Sequence, residues 1–113
     1  MLEFPTSAGT HDCVVVRPEG RLTMAVAPAL RATFSNLVAD GKSRLVVDMT
    51  DVDSIDSAAL GALVSGLKAA RGAGGDLRIV APSMQVLTVL ELTNLRRVLP
   101  PYPSTGDAYR PHD

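Results

Sequence analysis

Residues 45–71, LVVDMTDVDSIDSAALGALVSGLKAAR, most constrain what this chain can fold into. They open with a short apolar run from Leu45 that ends in Asp48, and pass through a connector carrying Asp51, Asp53 and Asp56. Leu60, Leu63, Val64 and Leu67 then recur at i, i+3, i+4 and i+7, the spacing of one helix face, and alanines fill much of the remainder. Asp56 or Ser57 offers an N-cap oxygen to the unpaired N–H groups of the first turn. Arg71 suits the negative pole of such a helix, and Gly72 offers a left-handed stop. The expectation is a buried strand, a polar loop and a mostly buried helix over 57–71. A polar side chain at the junction sits at the surface with its base fixed in the core.

Strands and helices alternate along the rest of the chain. Residues 13–17 are a β-branched strand, Pro18-Glu19-Gly20 a turn, and Arg21-Leu22-Thr23 extended again, which suggests a hairpin or bulged pair. Pro28 suits the first turn of a helix whose inward face carries Leu30, Phe34, Leu37 and Val38, and Asp40-Gly41-Lys42 stops it. The stretch 45–49, apolar except for Asp48, fits a short strand buried on both faces. Gly72-Ala73-Gly74-Gly75 leads to a strand over 77–81. Pro82-Ser83 then opens a third helix with Met84, Val86, Leu87 and Leu90 inward, ending near Asn94. Val98-Leu99 is expected as a last short strand. Beyond it Pro100, Pro101, Pro103 and Pro111 oppose regular structure, apart from one turn over 105–109. The expected organisation is a flexible arm or edge strand over 1–12, one domain over 13–99 and a Pro-rich tail over 100–113. The expected class is α/β, a mixed sheet of four to five strands covered by helices.

Composition narrows function mainly by exclusion. At 113 residues and 46% hydrophobic content, the chain makes one folded domain that buries roughly 65% of its unfolded surface. A net charge of −1 with both signs dispersed gives no nucleic-acid footprint. Phe4, Phe34, Tyr102 and Tyr109 are scattered and form no stacking platform for single strands. No apolar run approaches the ~20 residues of a membrane helix, and the N-terminus lacks a basic segment followed by an apolar one. A cytoplasmic protein is expected. The single cysteine, Cys13, agrees with that and reads as a small core residue.

Catalysis finds no support. Asp48, Asp51, Asp53 and Asp56 invite a divalent-metal reading, but the spacing lacks the glycine of an EF-hand loop, and a solvated acidic loop is the better account. The Gly-Ala-Gly-Gly segment follows a helix and precedes a strand, the reverse of a phosphate-binding loop. His11 and His112 sit near the two ends. No nucleophile, base and orienter assemble, so the expectation is no enzyme, no cofactor and no metal.

The ordered set of motifs resembles the STAS domain, the fold of bacterial anti-sigma factor antagonists. Gly20-Arg21-Leu22-Thr23 with Ala27-Pro28-Ala29-Leu30-Arg31 is similar to that family's Gly-Glu-Leu-Asp … Ala-Pro-x-Leu-Arg stretch. Residues 45–61 resemble its strand, loop and Asp-Ser-Ser/Thr/Ala-Gly-Leu helix start, and Gly74-Gly75 with 77–81 its next glycine pair and strand. The resemblance implies a protein that docks on a serine-kinase-type anti-sigma factor, and so frees a sigma factor for transcription. It implies a contact surface of Thr23, Met24, Asp56, Ser57, Ala58, Leu60 and Gly61. In the family, phosphorylation two places after the motif aspartate blocks docking, because a charge of −1.5 to −2 disrupts a desolvated contact.

Three positions depart from the pattern: Ala58 replaces the phosphoacceptor, Ala59 the following glycine, and Thr23 the aspartate of Gly-Glu-Leu-Asp. Ser57 is the nearest substitute acceptor, although one residue turns a helical side chain by roughly 100°; a helix N-cap is its simpler role. The resemblance also allows a subunit docking on the ATPase of a lipid ABC transporter, or a small-ligand-sensing module.

Overall fold

The computed structural model of the chain describes residues 4–9 and 12–109. His11, His112 and Pro111 lie outside the described residues, as do the first three positions of the N-terminal arm. The order of elements is β1 (Thr6–Ala8), β2 (Val14–Val16), β3 (Gly20–Leu22), α1 (Ala27–Ala39), β4 (Arg44–Asp48), β5 (Val52–Ile55), α2 (Ser57–Gly72), β6 (Asp76–Val80), α3 (Met84–Leu92), β7 (Pro101–Tyr102) and α4 (Thr105–Ala108). The main sheet runs β1-β2-β4-β6-β7; β1 is antiparallel to β2, and the other pairs are parallel. It is the mixed α/β arrangement that the alternating pattern implies.

Strand alternation divides the core in two. Val16, Leu45, Val47, Leu77 and Ile79 join one cluster with Leu30 and Phe34 of α1 and with Leu60, Leu63 and Leu67 of α2. Val15, Val46 and Val80 join a smaller one with Cys13, Ala108 and Tyr109. Residues 45–47 are therefore covered on both faces, which is why they lack polar alternation. The Tyr109 hydroxyl lies 2.7 Å from the carbonyl oxygens of both Leu45 and Asp76, and the Arg44 and Arg78 guanidiniums stand 4.9 and 4.4 Å from its ring centroid. Burial first, and the nearby Asp76 second, push this hydroxyl well above the usual tyrosine range.

Five expectations are corrected. First, the hairpin between 13–17 and 21–23 does not form: β2 is flanked by β1 and β4, while β3 leaves to pair in parallel with β5 in a separate two-stranded sheet. The buried valines of β2 take strand neighbours on both sides, and Gly20, at φ +74°, redirects the chain rather than reversing it. The bulge exists, but between Gly20 and Arg21 against β5. Second, the acidic connector is not wholly loop. Val52 and Ile55 are buried at the ends of β5 while Asp53 stays exposed. Third, the last strand is Pro101–Tyr102 rather than 98–99. Leu99 instead plugs the core, fully buried, and a proline is tolerated at the start of an edge strand. Fourth, Met84 points outward, 78% exposed; the Ser83 N-cap phases α3 so that Val86 and Leu90 turn inward. Fifth, Gly72 ends α2 but is not its left-handed residue. Gly74 is, at φ +86°, and its N–H donates to Arg71 O while that of Gly75 donates to Ala70 O, a Schellman ending.

Candidate functional site

Because β3 and β5 run parallel, with Leu22 opposite Ile55, both deliver the chain to the same end of the small sheet. Each is followed by a helix start. The Asp56 N–H donates to Leu22 O at 3.0 Å, which fixes the second junction against the first. The Asp56 carboxylate then divides its two oxygens. Oδ1 accepts the Ala59 N–H of the first turn of α2 at 2.9 Å, and Oδ2 accepts the Met24 N–H of the turn into α1, also at 2.9 Å. Of the two residues able to cap α2, Asp56 is the N-cap, its backbone extended at φ −103°, ψ 177°.

The neighbouring turn is tied to itself. Thr23 Oγ1 accepts the Ala25 N–H, and its carbonyl accepts those of Val26 and Ala27. From the other side α3 braces β5, where Gln85 Oε1 accepts the Ile55 N–H at 3.0 Å. The result is a rigid shelf with small residues on it. Ser57 is exposed, Thr23, Ala58 and Gly61 are half-buried, and Met24 projects with 73% exposure.

Thr23, Met24, Asp56, Ser57, Ala58 and Gly61 therefore gather as the sequence implied. Leu60 does not join them: it lies 3% exposed in the main core, because the first turn of α2 aims that position at the sheet. It supports the shelf from beneath. Two further exposed residues are not evident from the sequence, Met84 beside β5 and Arg31 beside Gly61. Met84 follows the Ser83 N-cap directly, and that first-turn position faces outward. Arg31 stood only inside a motif, yet a Cβ built on Gly61 would lie 3.4 Å from its Nη2.

Of the four clustered aspartates, Asp48 and Asp56 have structural tasks, while Asp51 and Asp53 are exposed. Asp48 accepts Arg17 Nε at 3.3 Å and Thr50 N–H and Oγ1 at 3.0 and 2.5 Å. Burial pushes its carboxyl up, but the Thr50 hydrogen bonds and Arg17 outweigh that and hold it below the usual carboxylate range. Among the described residues no group of three or more His, Cys, Asp or Glu is placed to hold a metal ion. Cys13 is buried, which raises its thiol above the ordinary range. The arrangement offers a surface for contact.

The sequence pattern of the STAS domain matches residues 5–108, and the chain belongs to that family. A Thermotoga maritima protein named as a candidate anti-sigma factor antagonist is 33% identical over 98 residues, which cover 86% of this chain and 87% of that protein. A Thermotoga maritima crystal structure bearing the same description superposes with a TM-score of 0.82 at 32% identity, over 89% of this chain and 86% of that one. The crystal structure of an anti-sigma factor antagonist from Mycobacterium paratuberculosis gives a TM-score of 0.77 at 29% identity, over 94% and 91%. Among the described residues no helix is long and apolar enough to cross a membrane.

Proposed function

We propose that this STAS domain is an anti-sigma factor antagonist that docks on a kinase-type anti-sigma factor through the Asp56 shelf, and that Ala58 leaves it without the phosphoacceptor of its family. The observation carrying this reading is the shared Asp56 carboxylate. By bonding Met24 N–H and Ala59 N–H together, it makes two turns 32 residues apart into one preformed surface. Preformed surfaces lose little entropy on binding. Met24 supplies an exposed apolar anchor, and Ala58 and Gly61 leave room beside it for a partner side chain. The names of the Thermotoga and Mycobacterium relatives support the antagonist role. The kinase type of the partner rests on the family resemblance.

The test is titration calorimetry of the purified protein against each anti-sigma factor of its own cell, then incubation of the binding pair with ATP and measurement of intact mass. Stable binding with no added phosphate is expected. Ala58→Glu places a negative charge on the contact and is expected to weaken binding by about 10- to 100-fold with the fold intact. A phosphate that appears and is lost in Ser57→Ala would move the switch one residue back. Undiminished binding by Ala58→Glu would remove the helix start from the interface. Binding to a lipid-transporter ATPase but to no anti-sigma factor would replace the reading.

A further inference from the structure

Charge is distributed unevenly over the helical layer. The 13 residues of α1 and the 16 of α2 include Arg31, Lys68 and Arg71 but no Asp or Glu, although the chain as a whole carries a net charge of −1. Arg71 is paired with Asp76 at 3.2 Å. Arg31 is exposed and makes no hydrogen bond or ion pair among the described residues. It stands at the upper end of a groove of about 210 Å³ between the two helices, lined also by Phe34, Ser35, Ser65, Gly66 and Ala69. The groove is shallow because the helices touch beneath it: a Cβ built on Gly66 would lie 2.4 Å from the Phe34 ring. It meets the Asp56 shelf at Gly61, over which the Arg31 guanidinium lies.

We infer that the docking surface continues from the Asp56 shelf along the α1/α2 groove, and that Arg31 there receives an acidic side chain of the anti-sigma factor. This rests on the docking reading above and adds the chemistry of the partner. An unpaired guanidinium offers a planar fork of donors that matches a carboxylate. The small residues lining the groove, Ser35, Ser65, Gly66 and Ala69, leave room for a partner backbone to approach within reach of that fork. A single protein carboxylate fits better than a polyanion. Asp56 lies within the shelf and the exposed Asp53 three residues before it, and a nucleic acid or an anionic membrane spread over the face would come close to both.

The experiment compares wild type, Arg31→Ala, Arg31→Glu and Ala58→Glu for binding to the anti-sigma factor identified by calorimetry, at about 50 and 300 mM salt. Arg31→Ala is expected to weaken binding about tenfold and flatten its salt dependence, and Arg31→Glu about a hundredfold. Thermal unfolding is expected to change little in both, because exposed Arg31 makes no hydrogen bond or ion pair among the described residues. Reversing one acidic residue of the partner to Arg should restore binding to Arg31→Glu. If Ala58→Glu loses binding while both Arg31 variants keep it, the inference is overturned and the docking reading stands. If all three keep it, or if no anti-sigma factor binds, both fall. Duplex DNA or phosphatidylglycerol vesicles that bind wild type and are lost in Arg31→Glu, with anti-sigma binding untouched, would give the groove to a polyanion instead.

Discussion

Asp56 makes two different contacts with one carboxylate, and substitution can separate them. Asn caps a helix about as well as Asp, so Asp56→Asn can keep the bond to Ala59 N–H through its carbonyl oxygen. Its amide nitrogen then faces Met24 N–H, donor against donor, and that contact is lost. A hydrogen bond to a charged group contributes about 1.5–3 kcal/mol. Met24 is exposed, so water takes over part of the bond, and the expected cost of Asp56→Asn is about 1–2 kcal/mol. Asp56→Ala removes the cap as well, which adds about 1 kcal/mol, for about 2–3 kcal/mol in all. At this chain length each kcal/mol lowers Tm by roughly 3–5 °C. Urea unfolding supplies the free energies, and amide hydrogen exchange locates them: Asp56→Asn should speed exchange at Met24 and leave Ala59 protected. Equal stability of Asp56→Asn and wild type, with Met24 exchange unaltered, would refute the claim that this carboxylate joins the two turns.

Gly66→Ala drives a Cβ to within 2.4 Å of the Phe34 ring and 2.9 Å of Leu77, and should cost about 1–3 kcal/mol by overpacking, measured by urea unfolding. Tyr109→Phe leaves two strand carbonyls without their hydroxyl donor and should cost about 1–2 kcal/mol. Because the folded Tyr109 hydroxyl is raised, its stabilisation is complete below pH about 10 and is lost as pH climbs above that, so the Phe variant should be less sensitive to alkali. Asp48 has the opposite sign. Its lowered carboxyl stabilises the fold above pH about 4 and loses that contribution on acidification, so Asp48→Asn should flatten the acid limb of a stability–pH curve.

Features that repeat along the chain were legible, and features built by pairing distant segments were not. Leu60, Leu63 and Leu67 leave a period because successive turns of α2 bury them in one cluster. The doubly covered β4 leaves a run of apolar residues for the same reason. By contrast, β5 has only Val52 and Ile55 buried among acidic and polar neighbours, and its partner β3 lies about thirty residues away, so nothing local marked it as strand. Strand β7 is two residues long and starts with proline, and only its pairing with Ile79 and Val80 of β6 defines it as a strand. Whether Asp56 or Ser57 capped α2 was equally undecidable, since both carry a suitable oxygen and only the extended backbone of Asp56 selects one.

The candidate site follows the same division. Parallel strands send every strand-to-helix junction to the same end of a sheet, so Thr23 and Asp56 could be expected together before any contact was known. Topology alone carried that expectation. The charge that borders the patch is another matter. Arg31 reaches Gly61 only because α1 and α2 pack closely at Gly66 and Phe34, and no spacing within either helix records that contact. A departure such as Ala58 is visible against a family pattern, whereas a guanidinium unpaired among the described residues becomes visible only once the side chains around it are placed. The specificity of this surface should therefore lie in side chains such as Arg31, which the fold positions without using them for its own stability.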